Sequence, residues 1–212
     1  MGKRVICISR SVAAGGERVA TSVAERLGYR YVDEEIIRLA GEKADVDPRV
    51  VADAEQRTSV IARLVDALFA RPASETYSLF HHDAPHPKPP TATTAELRAL
   101  IRGAIRETAR RSNVVIVAHA ASFAVGSGPD VLRVLVTASP ETRAQRLWLD
   151  GHFMSEQEAE QTVAESDEER AHYLRSFYDV AHELSTHYDV VVNTDALSTQ
   201  DAATMILALA RA

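Results

Sequence analysis

Lysine is nearly missing from this chain: Lys3, Lys43 and Lys88 are the only ones, so the positive charge is almost all arginine. Arginine makes bidentate contacts to phosphate, which would suit an anion site, although a bias in coding-DNA composition gives the same preference. Cysteine is scarcer still. Cys7 stands alone inside an apolar run, so no disulfide can form within the chain, and it reads as a small core residue rather than a nucleophile. That usage fits a reducing compartment. Long apolar runs are absent too. None approaches the ~20 residues of a membrane span, and Lys3 and Arg4 are not followed by an apolar signal segment. The expectation is a cytoplasmic protein with no membrane partner. An excess of positive charge is also missing. The net charge of −6 argues against a broad nucleic-acid surface but leaves room for a local cationic pocket.

What remains is ordinary globular material, 46% hydrophobic and 25% charged over 212 residues. One domain, residues 1–212, with a mobile subregion is expected. Val5 to Ser9 is a short buried strand by composition, followed by the loop Arg10 to Gly16. From Glu17, Val19, Ala20, Val23, Ala24 and Leu27 recur at helical spacing, and Gly28 stands as a C-terminal stop. Tyr29 to Val32 reads as a second strand and Glu34 to Ala40 as a helix. Asp47 to Ala70 keeps an approximate helical period. Its apolar stripe would pack either in the core or against a second subunit, so a homodimer is left open. Arg71 to Thr94 holds five of the eight prolines and reads as a flexible loop. Its His81, His82, Asp83 and His86 could bind a metal, but no helix or strand fixes their geometry, and no residue is assigned to one. Helix Thr94 to Arg111, strand Val114 to Val117, strand Val131 to Thr137 and helix Pro140 to Leu149 follow. Ser155 with Glu158 fits a capping box opening a long helix to about Tyr178. Tyr188 to Val192 is the last strand and Thr199 to Arg211 the last helix. Five short strands separated by helices predict a doubly wound α/β sheet with its ligand site at the carboxyl ends of the strands.

Inspecting those ends yields the candidate residues. The first strand leads into Ser9-Arg10-Ser11-Val12-Ala13-Ala14-Gly15-Gly16-Glu17-Arg18. A loop running into a helix N-terminus can wrap phosphate with backbone N–H groups, and two adjacent glycines suit that wrapping. A complete phosphate loop reads G-x-x-x-x-G-K-[ST]. With Gly15 as its second glycine, Arg10 stands at the first, Gly16 at the lysine and Glu17 at the Ser/Thr. A plain tight turn explains the loop as well. Asp33, after the second strand, could orient a substrate hydroxyl or hold water around Mg²⁺, or simply cap a helix. His119, after Val114 to Val117, could contact phosphate or be a partly buried histidine. Arg143 and Arg146 lie three apart on one helix face, and Arg170 follows Asp167 by three on the long helix. Such arginines can surround a migrating phosphoryl group as a lid closes, or pair with Glu165, Glu168 and Glu169 on a solvated face.

Several segments resemble the cytidylate kinases. Val136 to Arg146 (VTASPETRAQR) is similar to their lid motif, and Ser166 to Ala171 (SDEERA) to their later lid element. Asp189 to Leu197 (DVVVNTDAL) with Ser198 resembles their last strand and turn. At the N-terminus, ISR-x-x-x-x-GG followed by LGYRYVDEEII is closer to the cytidylate kinase-like family. The resemblance covers roughly residues 4–45 and 95–210. It implies a three-layer α/β/α P-loop kinase fold with a five-stranded parallel sheet, a helical acceptor region at 46–113 and a helical lid at 143–180. It also implies ATP and Mg²⁺ as ligands, with CMP or dCMP as acceptor. By position, Ser11 to Arg18 would hold the donor phosphates and Asp33 would sit at the acceptor side. Arg143, Arg146 and Arg170 would reach the phosphates from the lid, which Asp167 would help position. The chain departs from the pattern at Gly16 and Glu17, where the loop lysine and Ser/Thr stand in cytidylate kinases. Ala13 takes the place of a glycine of the cytidylate kinase-like loop, and His119 that of a family arginine. Arg10 or Arg18 could replace the lost charge. A phosphotransferase acting on CMP or another small acceptor is the reading that follows. An inactive, nucleotide- or partner-binding relative is the alternative.

Overall fold

Strands covered by helices on both faces have no solvent face to alternate toward, so they read as continuous apolar runs. In the computed structural model, which describes residues 2–33, 94–111, 113–118, 120–151, 153 and 155–212, the two strands at the centre of the sheet's buried half, Val5–Arg10 and Val114–Val117, obey that rule. Strand β1 (Val5–Arg10), β2 (Arg30–Asp33), β3 (Val114–Val117), β4 (Val131–Thr137) and β5 (Val190–Asn193) form one sheet in the order β2-β3-β1-β4-β5. Every pairing is parallel. Val5, Ile6, Cys7, Ile8 and all of β3 are buried. Cys7 is a core residue, its thiol pushed up to about 12 by burial.

The chain runs from β1 outward to β2, back to β3, then across β1 to β4. The crevice at the carboxyl ends beside β1 is therefore a topological switch point, where ligands collect in such sheets. The register brings the strand ends level: Arg10 pairs with Val136, Asp33 with Val117 and Thr137 with Asn193.

Helix α1 (Gly16–Leu27) packs beside the last helix, α6 (Thr199–Arg211), while α2 (Thr94–Arg110) packs on α3 (Ala121–Val125). Val19, Ala20, Val23 and Ala24 of α1 join Ala202, Ala203, Ile206 and Leu207 of α6 in the core. Gly28 ends α1 at φ 68°, its N–H bonded back to Glu25 O. Helices α4 (Pro140–Leu149) and α5 (Glu156–Tyr178) form a separate pair. Their small core of Ala144, Ala159 and Val163 is closed by Leu147, Phe153 and, from the loop after β1, Val12. The α4–α5 pair is thus packed directly onto that loop.

Most expected boundaries match within a residue or two. Strand β5 differs: it starts at Val190 because Tyr188 turns into a side-chain network and Asp189 pairs with Arg133. Short helix α3, after β3, was not expected; five residues are too few to show a helical period. The expected helices at 34–40 and 47–70, the loop at 71–94 and its His-rich cluster lie outside the described residues. Among the described residues no helix is long and apolar enough to cross a membrane.

Candidate phosphate site

Past Arg10 the chain turns sharply. Ser11 N–H donates to Val136 O at 3.1 Å, and Ala14 N–H returns to Ser11 O at 3.2 Å. Ala13 (φ 56°) and Gly15 (φ 79°) are both left-handed. For alanine that conformation costs on the order of 1 kcal/mol, so something must hold it. Arg146 does, donating from Nη1 to Ala13 O at 3.2 Å. Thr194, just past β5, holds the next carbonyl, its hydroxyl donating to Ala14 O at 2.8 Å. The result is a curved loop ending at the N-terminus of α1. There the amides of Gly16, Glu17 and Arg18 have no intrahelical acceptors and the helix dipole is positive.

Arginines bind α4 and α5 to this loop. Helix α4 is capped by Ser139, which accepts from Thr142 N–H, with Pro140 in its first turn. Asp195 accepts from Ser139 N–H at 2.9 Å; the Thr142 hydroxyl and that amide hold its carboxyl below the usual range. The capped helix aims two arginines at the sheet edge. Arg143, 3% exposed, forms a bidentate pair with Asp167 of α5 at 2.8 and 2.6 Å, and its Nε donates to Ala138 O. Arg146 reaches past it to Thr194 Oγ1 and O at 2.9 and 2.8 Å. Arg170 of α5, also buried, donates from Nε to Glu183 Oε2 at 2.8 Å and from Nη1 to Arg10 O at 3.3 Å. The Tyr188 hydroxyl donates to the same Glu183 carboxylate. Burial pushes the Glu183 carboxyl up, but the Arg170 guanidinium and Tyr188 hydroxyl outweigh it and hold the carboxyl below its ordinary value.

These side chains surround a cavity of about 370 Å³ lined by Ser11, Thr137, Arg143, Asp167, Arg170 and Glu183. The Ser11 and Thr137 hydroxyls meet at 3.3 Å across its floor. Arg175 stands exposed at the rim and forms no ion pair among the described residues. The expected site residues thus do not all fall together. Ser11, Arg143, Asp167 and Arg170 share the cavity, and Arg146 lies behind the loop. Arg10 and Glu17 do not line the cavity and form an ion pair with each other beside the start of α1. Asp33 ends β2, buried, with β3 between it and β1. Arg18 is exposed on α1. His119 lies outside the described residues.

Sequence reasoning missed Thr137, Thr194, Glu183 and Tyr188. The first two were findable, since each stands at a strand's carboxyl end, where Asp33 was found. Glu183 and Tyr188 meet Arg170 from a stretch with no periodicity, and nothing in the sequence marks them.

Taken together, a five-stranded parallel sheet, a glycine-bearing loop at its switch point and a helical pair over the carboxyl edge define a three-layer P-loop kinase fold. A solved structure of an uncharacterized protein from Eubacterium ventriosum superposes with a TM-score of 0.63 at 15% identity, covering 97% of both chains. Shikimate kinase from Bacteroides thetaiotaomicron superposes with a TM-score of 0.50 at 14% identity, again over 97% of each chain. At such identities the likeness concerns the fold alone. Within that fold the chain belongs to the cytidylate kinase-like family, whose model matches residues 5–196. A cytidylate kinase from Rhodopseudomonas palustris is 28% identical over 173 residues, 77% of this chain and 74% of that protein. Family and fold support a nucleotide kinase-like function.

Proposed function

We propose that this chain is a nucleotide-dependent phosphotransferase that moves the γ-phosphoryl group of ATP to CMP, dCMP or another small acceptor. The observation that carries the reading is the gathering of Arg143, Arg146 and Arg170 around the loop that opens α1. The likeness to a cytidylate kinase favours a cytidine nucleotide as acceptor. The backbone from Ser11 to Gly16 cradles the donor phosphates, helped by the free amides of α1. A guanidinium has five N–H donors. Arg143 commits three, to Ala138 and Asp167, and two remain for phosphate oxygens. Arg146 acts one step back, holding Ala13 in the conformation the cradle needs. Asp167 fixes Arg143 and ties the two lid helices together.

Transfer is in line. An acceptor phosphate oxygen attacks the γ-phosphorus, the bond to the β–γ bridging oxygen breaks, and ADP leaves with that electron pair; no covalent enzyme intermediate forms. Mg²⁺ usually binds through one or two carboxylates plus substrate phosphates, but Asp33 is buried at the end of β2 with β3 between it and the strand that leads into the loop, so it is not assigned the ion. Held by the donor phosphates, Mg²⁺ would neutralise developing charge on their oxygens.

A second reading is favoured by a specific observation. Arg10, Arg143 and Arg170 are each neutralised by a carboxylate of the same chain. Such a site could bind nucleotide without transferring phosphate and so act as a regulator. The test is incubation with Mg·ATP and, separately, CMP, dCMP and a panel of small acceptors, with products read by mass spectrometry. Formation of CDP or dCDP supports the proposal. ATP consumption without dependence on either moves the acceptor elsewhere. Nucleotide binding without any product supports the regulator.

A further inference from the structure

We infer that Arg10 supplies the phosphate-binding charge that a lysine supplies in complete loops, reaching it from the opposite end of the same loop. The inference rests on the phosphotransferase reading and names a residue within it. A full motif has glycine where this chain has Arg10 and lysine where it has Gly16. The two departures are physically one. A Cβ on Gly16 would stand 2.6 Å from Arg10 Cβ, 3.0 Å from its Cδ and 3.3 Å from its Cγ. The arginine stem therefore fills the space that any side chain at position 16 would need. With Arg10 present, only glycine fits at 16; with lysine at 16, only a residue without a stem fits at 10.

The exchange keeps the charge beside the helix start. Arg10 lies across the first turn of α1, and its Nε is paired with Glu17, one residue past the lysine position. The pair is open to solvent, with 23% of the Arg10 and 48% of the Glu17 side chain exposed. Exposed pairs of this kind are weak. A triphosphate at the cradle carries several negative charges against the single one on Glu17 and offers the guanidinium fork two oxygens in one plane. Glu17 is then the resting partner of Arg10, and phosphate replaces it. Arg170 anchors the Arg10 carbonyl, so the backbone under the moving side chain stays fixed.

The experiment is a reciprocal exchange read by calorimetric titration of Mg·ATP, with circular dichroism and thermal unfolding on each variant. Arg10→Gln keeps the stem and removes the charge, and should bind ATP about 10- to 100-fold more weakly. Gly16→Lys alone should lose affinity at least as much, because the lysine has no room. Arg10→Gly with Gly16→Lys rebuilds the complete motif and should restore affinity to within several-fold of the unsubstituted chain. Binding unchanged in Arg10→Gln, or lost in Arg18→Gln instead, overturns the inference while leaving the phosphotransferase reading standing. No binding by the unsubstituted chain overturns both. Should Gly16→Lys not fold, Arg10→Gln alone decides.

Discussion

Two Arg–Glu pairs flank the same loop and differ in burial. Arg170–Glu183 has 6% and 23% of its side chains exposed, whereas Arg10–Glu17 has 23% and 48%. Arg170 gives two of its three remaining donors to Arg10 O and the Tyr188 hydroxyl, crosslinking α5, the loop and the approach to β5. Among the described residues Arg10 has no such web. A buried charge stripped of its partner is strongly destabilising, so the first pair cannot open cheaply; an exposed pair can. The wall built by Arg170 and Glu183 is scaffold that sets the shape of the cavity. The loop's own pair is the adjustable part, where a carboxylate can be exchanged for phosphate.

The comparison breaks most visibly at Glu183. Glu183→Ala leaves the Arg170 guanidinium buried without its carboxylate and should cost about 3–5 kcal/mol, measured by urea unfolding. If the cost is below about 1 kcal/mol, the buried pair is no scaffold. The same carboxyl imposes a pH dependence. Its folded pKa is depressed below the ordinary 4.5, so its stabilisation is fully present above that value and is lost as pH falls toward the folded pKa. Acid unfolding below about pH 4.5 should flatten in Glu183→Gln. Thr194→Val removes the hydroxyl that holds Ala14 O and receives Arg146, and should cost about 1–2 kcal/mol. It should also weaken ATP binding, since the cradle loses its brace. Smallest of all, Glu17→Gln should leave thermal stability within about 0.5 kcal/mol. Its expected signature is ATP binding about twofold to fivefold tighter without Mg²⁺, read by calorimetry.

The sequence made the sheet legible because buried parallel strands announce themselves as apolar runs, and Val114–Val117 and Val131–Thr137 were found to the residue. Helix α4 was equally clear, with Pro140 in its first turn. The lid arginines were legible as a set but not in their partners. Helical spacing says which residues share a face, and nothing in it says that Arg146 crosses to Thr194 or that Arg170 meets Glu183. The loop was hardest to read. Against the motif its substitutions look like independent losses; in three dimensions the stem of Arg10 occupies the space above Gly16, and the two changes are one exchange.

The account stands or falls on whether the loop before α1 holds a nucleoside triphosphate. Calorimetric titration of the unsubstituted protein with Mg·ATP, followed by CMP, tests this most directly. Saturable binding of both, at micromolar to low-millimolar affinity, is the predicted result. Absence of heat with ATP at millimolar concentration, from protein that unfolds cooperatively, would contradict it.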